Sequence, residues 1–290
     1  MNPEPWTPPK LVEWIKVELA RRGVQGNLRL EAELLVAKGL GLDRMGLFLA
    51  FDRPLDEEER TQVRELVRRR LNREPLGYIL GDAHFWTLVL AVGPGVLIPR
   101  ADSETLVEAL LELTRPTGPL RALEFGLGSG ALSLAWAMER GELSIDGLEK
   151  SPEALAYAHQ NLELYRSRLE AKGCRLDFRL GSNLEGFTGP YEVIFSNPPY
   201  LEAQELEGLE PEVRDFEPHL ALVAEEGGLE HYRVLFAQGL RLLGPQGILV
   251  LEIGYRQKEA VVALAPSQYR LVLAKSDLGG HTRVLAFLRM

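Results

Sequence analysis

Glu124-Phe125-Gly126-Leu127-Gly128-Ser129-Gly130 is the stretch that decides the fold. Strand-forming residues at 121–125 run into it, and a helical run at 131–138 leaves it. Glycines at alternate positions let the backbone turn sharply from strand to helix and let a ligand approach the main chain closely. At the end of the next strand candidate, about twenty residues on, stands Glu149, a carboxylate placed to accept the hydroxyl hydrogens of a ribose.

Outward from this turn the same rhythm continues. Strands at 121–125, 144–149, 175–180 and 191–196 alternate with helices at 129–140, 152–170 and 228–243. Further strands at 247–253, 269–275 and 283–289 complete the set. Alternation of this kind predicts an α/β fold with a parallel, doubly wound, Rossmann-like sheet of seven strands. Residues 10–73 instead read as helices, because Leu11, Ile15 and Leu19, then Leu30, Leu34 and Leu35, then Val63, Leu66, Val67 and Leu71 recur at helical spacing. Asp56 is the predicted N-cap of the last of these. Between the two regions, short β-like runs within 84–98 flank Gly93-Pro94-Gly95, which predicts a hairpin, and 103–113 is amphipathic and helical. The expected organisation is a helical domain at 1–80, a hairpin linker at 81–100 and the sheet domain at 101–290.

Hydrophobic residues make up 46% and charged residues 26% of the 290, the balance of an ordinary globular protein. The longest apolar stretch, 88–99, is broken by Gly93, Pro94 and Gly95 and falls far short of the roughly 20 residues of a membrane helix. The opening MNPEPWTPPK has no apolar core, so a cytoplasmic location is expected, without membrane contact. A single cysteine, Cys174, has no partner for an internal disulfide, and the five histidines lack paired ligand spacing, so no metal is expected. The net charge is −9, yet residues 1–80 carry 14 Lys/Arg against 13 Asp/Glu, which leaves the acidic excess in the remainder. An acidic body argues against broad phosphate-backbone binding. The run Arg68-Arg69-Arg70 reads as a solvated helix face, with nucleic-acid contact as the alternative.

The glycine turn alone does not settle the ligand, because Gly126, Gly128 and Ala131 also fit the dinucleotide fingerprint. Glu124 weighs toward a cation. S-adenosylmethionine carries a sulfonium and an ammonium, whereas NAD presents an anionic pyrophosphate that an acid at the mouth of the turn would repel. A second motif, Asn197-Pro198-Pro199-Tyr200, closes the strand 191–196. Ligands of open α/β sheets bind beyond the carboxyl ends of the strands, so this loop should share the crevice of the glycine turn. The Asn197 side-chain oxygen and the Pro198 carbonyl can accept the two N–H groups of an amide or amino nitrogen. The prolines restrict the backbone and remove competing donors, and Tyr200 can stack on a planar group.

On these residues the chain resembles the protein-(glutamine-N5) methyltransferases of peptide chain release factors (the HemK/PrmC family). The resemblance spans 73–290 and includes Arg73-Glu74-Pro75-Leu76-Gly77-Tyr78-Ile79-Leu80-Gly81, Phe85-Trp86 and Leu97-Ile98-Pro99-Arg100 with Asp102 and Glu104. It continues through Glu212-Val213-Arg214, Phe216-Glu217-Pro218, Gly227-Gly228-Leu229, Tyr232-Arg233 and Leu251-Glu252-Ile253-Gly254. It implies a seven-stranded class I methyltransferase domain behind a small helical domain that grips the substrate's body. It also implies S-adenosyl-L-methionine as cofactor, S-adenosyl-L-homocysteine as product, and the glutamine of the Gly-Gly-Gln tip of class 1 release factors as substrate, with no direct nucleic-acid substrate. Carried over to this chain, Glu124, Gly126, Leu127, Gly128, Ser129, Gly130, Glu149, Asn183, Leu184 and Asn197 would line the cofactor. Asn197, Pro198 and Tyr200 would carry catalysis, with Pro199, Phe85 and Arg100 completing the substrate pocket. The chain departs from the family pattern at Glu124, at Leu127 where a threonine is usual, at Glu149 where Asp is usual, at Ala101 in place of proline, and at Ser182-Asn183-Leu184 near the adenine. Three rivals stay open: a methyltransferase acting on nucleic-acid amino groups, an NAD-dependent oxidoreductase, and a silent binding module.

Overall fold

The computed structural model describes residues 5–115 and 117–290; residues 1–4, which open the proline-rich N-terminus, and residue 116 lie outside the described residues. The chain forms two compact units: Met1–Asp82 with Glu210–Phe216, and Ala83–Leu209 with Glu217–Met290. The boundary therefore is not a linear cut. A short segment of the second half belongs with the helices, and the stretch expected to be a linker lies almost wholly within the second unit.

The first unit packs α1 (Pro8–Arg21), α2 (Leu28–Gly39), α3 (Arg44–Leu49), α4 (Glu57–Leu71) and α5 (Leu76–Leu80). Their apolar stripes meet in a core that includes Ile15, Leu19, Leu35, Val36, Val63 and Val67. Asp56 caps α4 as predicted, with Glu59 completing a capping box. The arginine run is a solvated face only in part: Arg68 is exposed and Arg69 half-buried, whereas Arg70 turns inward. Arg68 pairs with Glu65, Arg69 grips Glu74, and Arg70 is 4% exposed between Glu31 and Glu212. Glu212 sits on the short helix Pro211–Phe216 and also receives Arg73, so this ion network holds the returning segment within the unit.

The second unit begins with a two-stranded sheet, β1 (Asp82–Phe85) and β2 (Leu88–Ala91). The hairpin turns at Trp86-Thr87 rather than at Gly93-Pro94-Gly95. Trp86 adopts φ 55°, the left-handed conformation that two-residue hairpin turns demand. Gly93-Pro94-Gly95 instead makes a separate turn against α8 (Pro152–Ala171). A Cβ on Gly93 would lie 2.1 Å from the Tyr157 hydroxyl, and one on Gly95 2.9 Å from the Glu153 Cβ.

The main sheet comprises β3 (Leu120–Phe125), β4 (Leu143–Glu149), β5 (Arg175–Leu180), β6 (Tyr191–Ser196), β7 (Leu243–Glu252), β8 (Tyr269–Ser276) and β9 (Thr282–Arg289). Their order is β5-β4-β3-β6-β7-β9-β8. The sheet is mixed rather than wholly parallel, because β9 runs antiparallel to both β7 and β8. The connection from β8 to β9 is too short for a crossover, so the second strand must fold straight back. Helices α6 (Glu104–Leu113), α7 (Ala131–Arg140), α8, α9 (Glu230–Leu242) and α10 (Lys258–Leu264) accompany this sheet. Along β6 the pleat sends Val193 and Phe195 into one core with Trp136 and Leu134, and Ile194 into the other with Tyr232 and Phe236. Between β3 and β6 the strand order reverses, so the carboxyl ends of β3, β4 and β6 converge where such folds bind ligands.

Candidate active site

The glycine turn leaves β3 and is tied at once to β4. Gly126 N–H and Leu127 N–H both donate to the Leu148 carbonyl, at 2.9 and 3.2 Å. Gly126, Gly128 and Gly130 have φ of 77°, 55° and 79°, which side chains rarely tolerate. A Cβ on Gly126 or Gly128 would meet nothing within 4 Å, so the turn lies under open space that a ligand can fill. Leu127 points the other way: its methyls lie 2.6 and 2.9 Å from where a Gly147 Cβ would stand. The position that usually carries a threonine hydroxyl here contributes an apolar contact beneath the turn.

Two acids lie at this turn, in different surroundings. Glu149 accepts from Gly128 N–H, Lys150 N–H and Ser151 N–H, each at 2.8 Å. Those bonds fix its carboxylate against the glycine turn and use about three of its four lone-pair positions. Glu124 is 0% exposed; its Oε2 accepts from the Ser133 hydroxyl and its Oε1 has no partner. Burial pushes its carboxyl up to about 8. The expectation of a charged acid at the mouth is therefore corrected. Glu124 lies under the turn and holds its proton at neutral pH, with one unsatisfied acceptor. A neutral, fully buried carboxyl does not choose between an ammonium and a pyrophosphate; the open space over the glycine turn, with the Glu149 carboxyl at its edge, is what fits a ribose-bearing cofactor such as S-adenosylmethionine.

The Asn-Pro-Pro-Tyr loop leaves the neighbouring strand. The Ser196 hydroxyl donates to the Phe125 carbonyl at 2.6 Å and locks the ends of β6 and β3 together. Asn197 is half-buried and its Nδ2 donates to the Ser103 hydroxyl oxygen at 3.1 Å, a bond that does not use Oδ1. Pro198 is buried, and Pro199 and Tyr200 are half-buried. Burial pushes the Tyr200 phenol up to about 12, so it stays neutral. Gln257 clamps the loop: its Nε2 donates to the Tyr200 carbonyl at 3.0 Å, while its Oε1 accepts from Gly254 N–H and the Tyr232 hydroxyl. Beyond the loop, Leu201 pairs through its backbone with Leu222 and Ala224.

The remaining predicted residues are distributed unevenly. Arg100 donates to Glu217, a 4%-exposed acid that also accepts from Ile98 N–H, so Arg100 reaches the site region as half of an ion pair. Phe85 does not wall a pocket; it is 1% exposed and packs in the core with Leu88 and Leu106. Leu184 is likewise a core residue, and its carbonyl accepts from Arg241 and from Phe187 N–H. Asn183 is exposed and accepts from Glu185 N–H. Their loop nevertheless starts beside Glu149, because Gly181 N–H donates to the Glu149 carbonyl at 2.8 Å. Cys174 is buried with its thiol pushed up by burial, which removes it as a nucleophile. Among the described residues no group of three His, Cys, Asp or Glu is placed to hold a metal ion.

Several residues of the site escape the sequence motifs. Asn161 is buried on α8 and ties β2 to the glycine turn. Ser103, Ser133 and Gln257 hold the two loops from beneath, and Glu252, which the resemblance included without a role, lies beside Ser103 and Asn197. The available signal was a polar residue inside an apolar run, as at Glu252 between Leu251 and Ile253.

A glycine turn over open space, an acid at the end of the next strand and an Asn-Pro-Pro-Tyr loop at the switch point mark a methyltransferase of the doubly wound type. A family model for the PrmC N-terminal domain matches residues 10–81, and one for the methyltransferase small domain matches 101–209. The release factor glutamine methyltransferase of Geobacter sulfurreducens is 41% identical over 263 residues, covering 91% of this chain and 89% of that protein. The same-named protein of Nitratidesulfovibrio vulgaris is 37% identical, covering 89% and 87%. A solved methyltransferase from Pyrococcus furiosus shares the fold, with TM-score 0.50 and 21% identity over 79% of this chain and 98% of that one. This chain belongs to the release factor glutamine methyltransferase family.

Proposed function

We propose that this protein methylates the N5 amide nitrogen of the glutamine in the Gly-Gly-Gln motif of class 1 peptide chain release factors, and so tunes translation termination in the cytoplasm. The observation that carries the reading is the Asn197 amide, whose Nδ2 is already committed to Ser103. Its Oδ1 and the adjacent Pro198 carbonyl then offer two acceptors to the two N–H groups of a planar amide. Tyr200 and Pro199 restrict where that plane can lie, and Arg100 with Glu217 supports the approach.

The backbone of Gly126, Gly128, Ser129 and Gly130 would hold S-adenosylmethionine, with Glu149 toward the ribose, the 181–184 loop toward the adenine and Glu124 supporting the turn from beneath. That cofactor, when bound, supplies an electrophilic methyl group on a sulfonium. The protein's own contribution is positioning: it holds the nitrogen in line for transfer, which can account for most of the acceleration. Asn197 and Pro198 also draw on the N–H bonds as positive charge grows on the nitrogen, and the acidic product then loses its proton to water.

Purified protein, labelled S-adenosylmethionine and a release factor test this directly, beside a factor carrying Gln→Ala in its Gly-Gly-Gln tip. Labelling that disappears in the altered factor supports the reading. Labelling that persists, or fails with the intact factor, overturns it. The nucleic-acid alternative has no observation in its favour, since each arginine of the 68–70 run is paired to a carboxylate.

A further inference from the structure

Beneath the Asn-Pro-Pro-Tyr loop lies a buried acid that the mechanism above does not use. Glu252 ends β7, is 2% exposed, and has one carboxyl oxygen, Oε2, with no partner. Ser103 and Asn197 are within hydrogen-bonding reach of this carboxyl. Ser103 is the residue whose oxygen accepts from Asn197 Nδ2.

We propose that Glu252 is a positioning residue which, through Ser103, commits the Asn197 amide to presenting Oδ1 rather than Nδ2 to the substrate. The proposal rests on the reading of Asn197 as the group that receives the glutamine amide. A carboxylate can only accept. Facing Glu252, the Ser103 hydroxyl donates toward the acid and keeps its lone pairs for Asn197 Nδ2. The amide is then held with its oxygen outward, and the direction of the whole relay is set by one buried charge. A glutamine or a protonated acid at 252 donates as well as accepts, so the relay loses its direction and the outward atom of Asn197 is no longer specified.

The groups around Glu252 bear on its charge. Burial and Asp102 disfavour ionisation, while Ser103, the Arg283 guanidinium and Asn197 favour it. Tyr200 and Tyr232 also face it, and the Tyr232 hydroxyl donates to the Glu252 backbone carbonyl at 3.1 Å. The balance leaves the carboxyl at about 7, so a directing charge forms as pH rises through neutrality.

The test compares the unsubstituted protein with Glu252→Gln, Ser103→Ala, Asn197→Ala and the double variant Glu252→Gln/Asn197→Ala. Single-turnover methyl transfer to a release factor is followed between about pH 6 and 9, alongside S-adenosylmethionine affinity and thermal stability. Glu252→Gln is expected to lower the transfer rate about ten-fold or more, with cofactor affinity unchanged. It should abolish the rise in rate through neutral pH and add no further loss in the Asn197→Ala background. Full transfer by Glu252→Gln while Asn197→Ala is inactive overturns the proposal and leaves the Asn197 reading standing. So does a loss that multiplies with that of Asn197→Ala. Full transfer by Asn197→Ala removes the reading itself. If Glu252→Gln fails to fold, Ser103→Ala breaks the same relay and must reproduce the rate loss.

Discussion

The Asn161 side chain holds the backbone of Ser129. Its Nδ2 donates to the Ser129 carbonyl at 3.0 Å, and the same amide exchanges two hydrogen bonds with the Ala91 backbone. The glycine turn is thus braced from α8, and the brace also fastens β2. Asn161→Ala strands the Ala91 and Ser129 groups in the interior, at a cost of about 1–3 kcal/mol for each unsatisfied group. It should weaken S-adenosylmethionine binding, measured by calorimetry, while leaving the KM for release factor nearly unchanged. Unaltered cofactor affinity at full folded fraction would remove Asn161 from the site.

Asn197→Ala should reduce methyl transfer by at least about a hundred-fold, since positioning supplies most of the rate, with cofactor affinity largely retained. A variant that loses affinity and keeps its turnover at saturation would place Asn197 with the cofactor instead.

Glu149→Ala should act in the opposite sense. The carboxylate anchors Gly128, Lys150 and Ser151 and faces the turn, so its loss should raise the dissociation constant for S-adenosylmethionine before it touches transfer. Undiminished affinity in this variant would refute the ribose assignment.

Glu124 and Glu252 make stability depend on pH in the direction opposite to most acids. Burial raises their carboxyls to about 8 and about 7 from a usual 4.5, so the folded protein binds more protons than the unfolded chain. Their contribution is complete below about 4.5 and is lost as pH rises to about 8. Glu124→Gln, which keeps the shape and cannot ionise, should flatten that decline and raise the urea midpoint at pH near 8. An unchanged slope would mean that Glu124 is ionised in the folded protein.

Arg70→Ala should destabilise the helical unit by about 3 kcal/mol, because Glu31 loses its buried partner while Glu212 keeps only Arg73. Denaturant unfolding measures this, and a change under about 1 kcal/mol would place the network among ordinary surface pairs.

Much of the architecture followed from local pattern. The seven strands, the glycine turn and the Asn-Pro-Pro-Tyr loop are continuous stretches whose periodicity and backbone demands are written along the chain, and the strand ends fell within a few residues of their observed places. The apolar alternation that marks a strand cannot state its direction, so the reversal of β9 came instead from a short connection. Gly93-Pro94-Gly95 drew the hairpin turn to itself because glycine and proline are the strongest local turn signals. The true turn is set by Trp86 in a conformation that its neighbours impose.

Sequence by itself determined the candidates for the chemistry: the acid after the second strand, the glycines whose φ excludes side chains, and the asparagine at the end of the fourth strand. Only the tertiary structure decided the state and aim of those groups. Burial keeps Glu124 neutral, Ser103 engages Asn197 Nδ2, Glu217 claims Arg100, and Phe85 sinks into the core. Charge state and hydrogen-bond direction depend on what surrounds a group in space, and those neighbours are far apart along the chain.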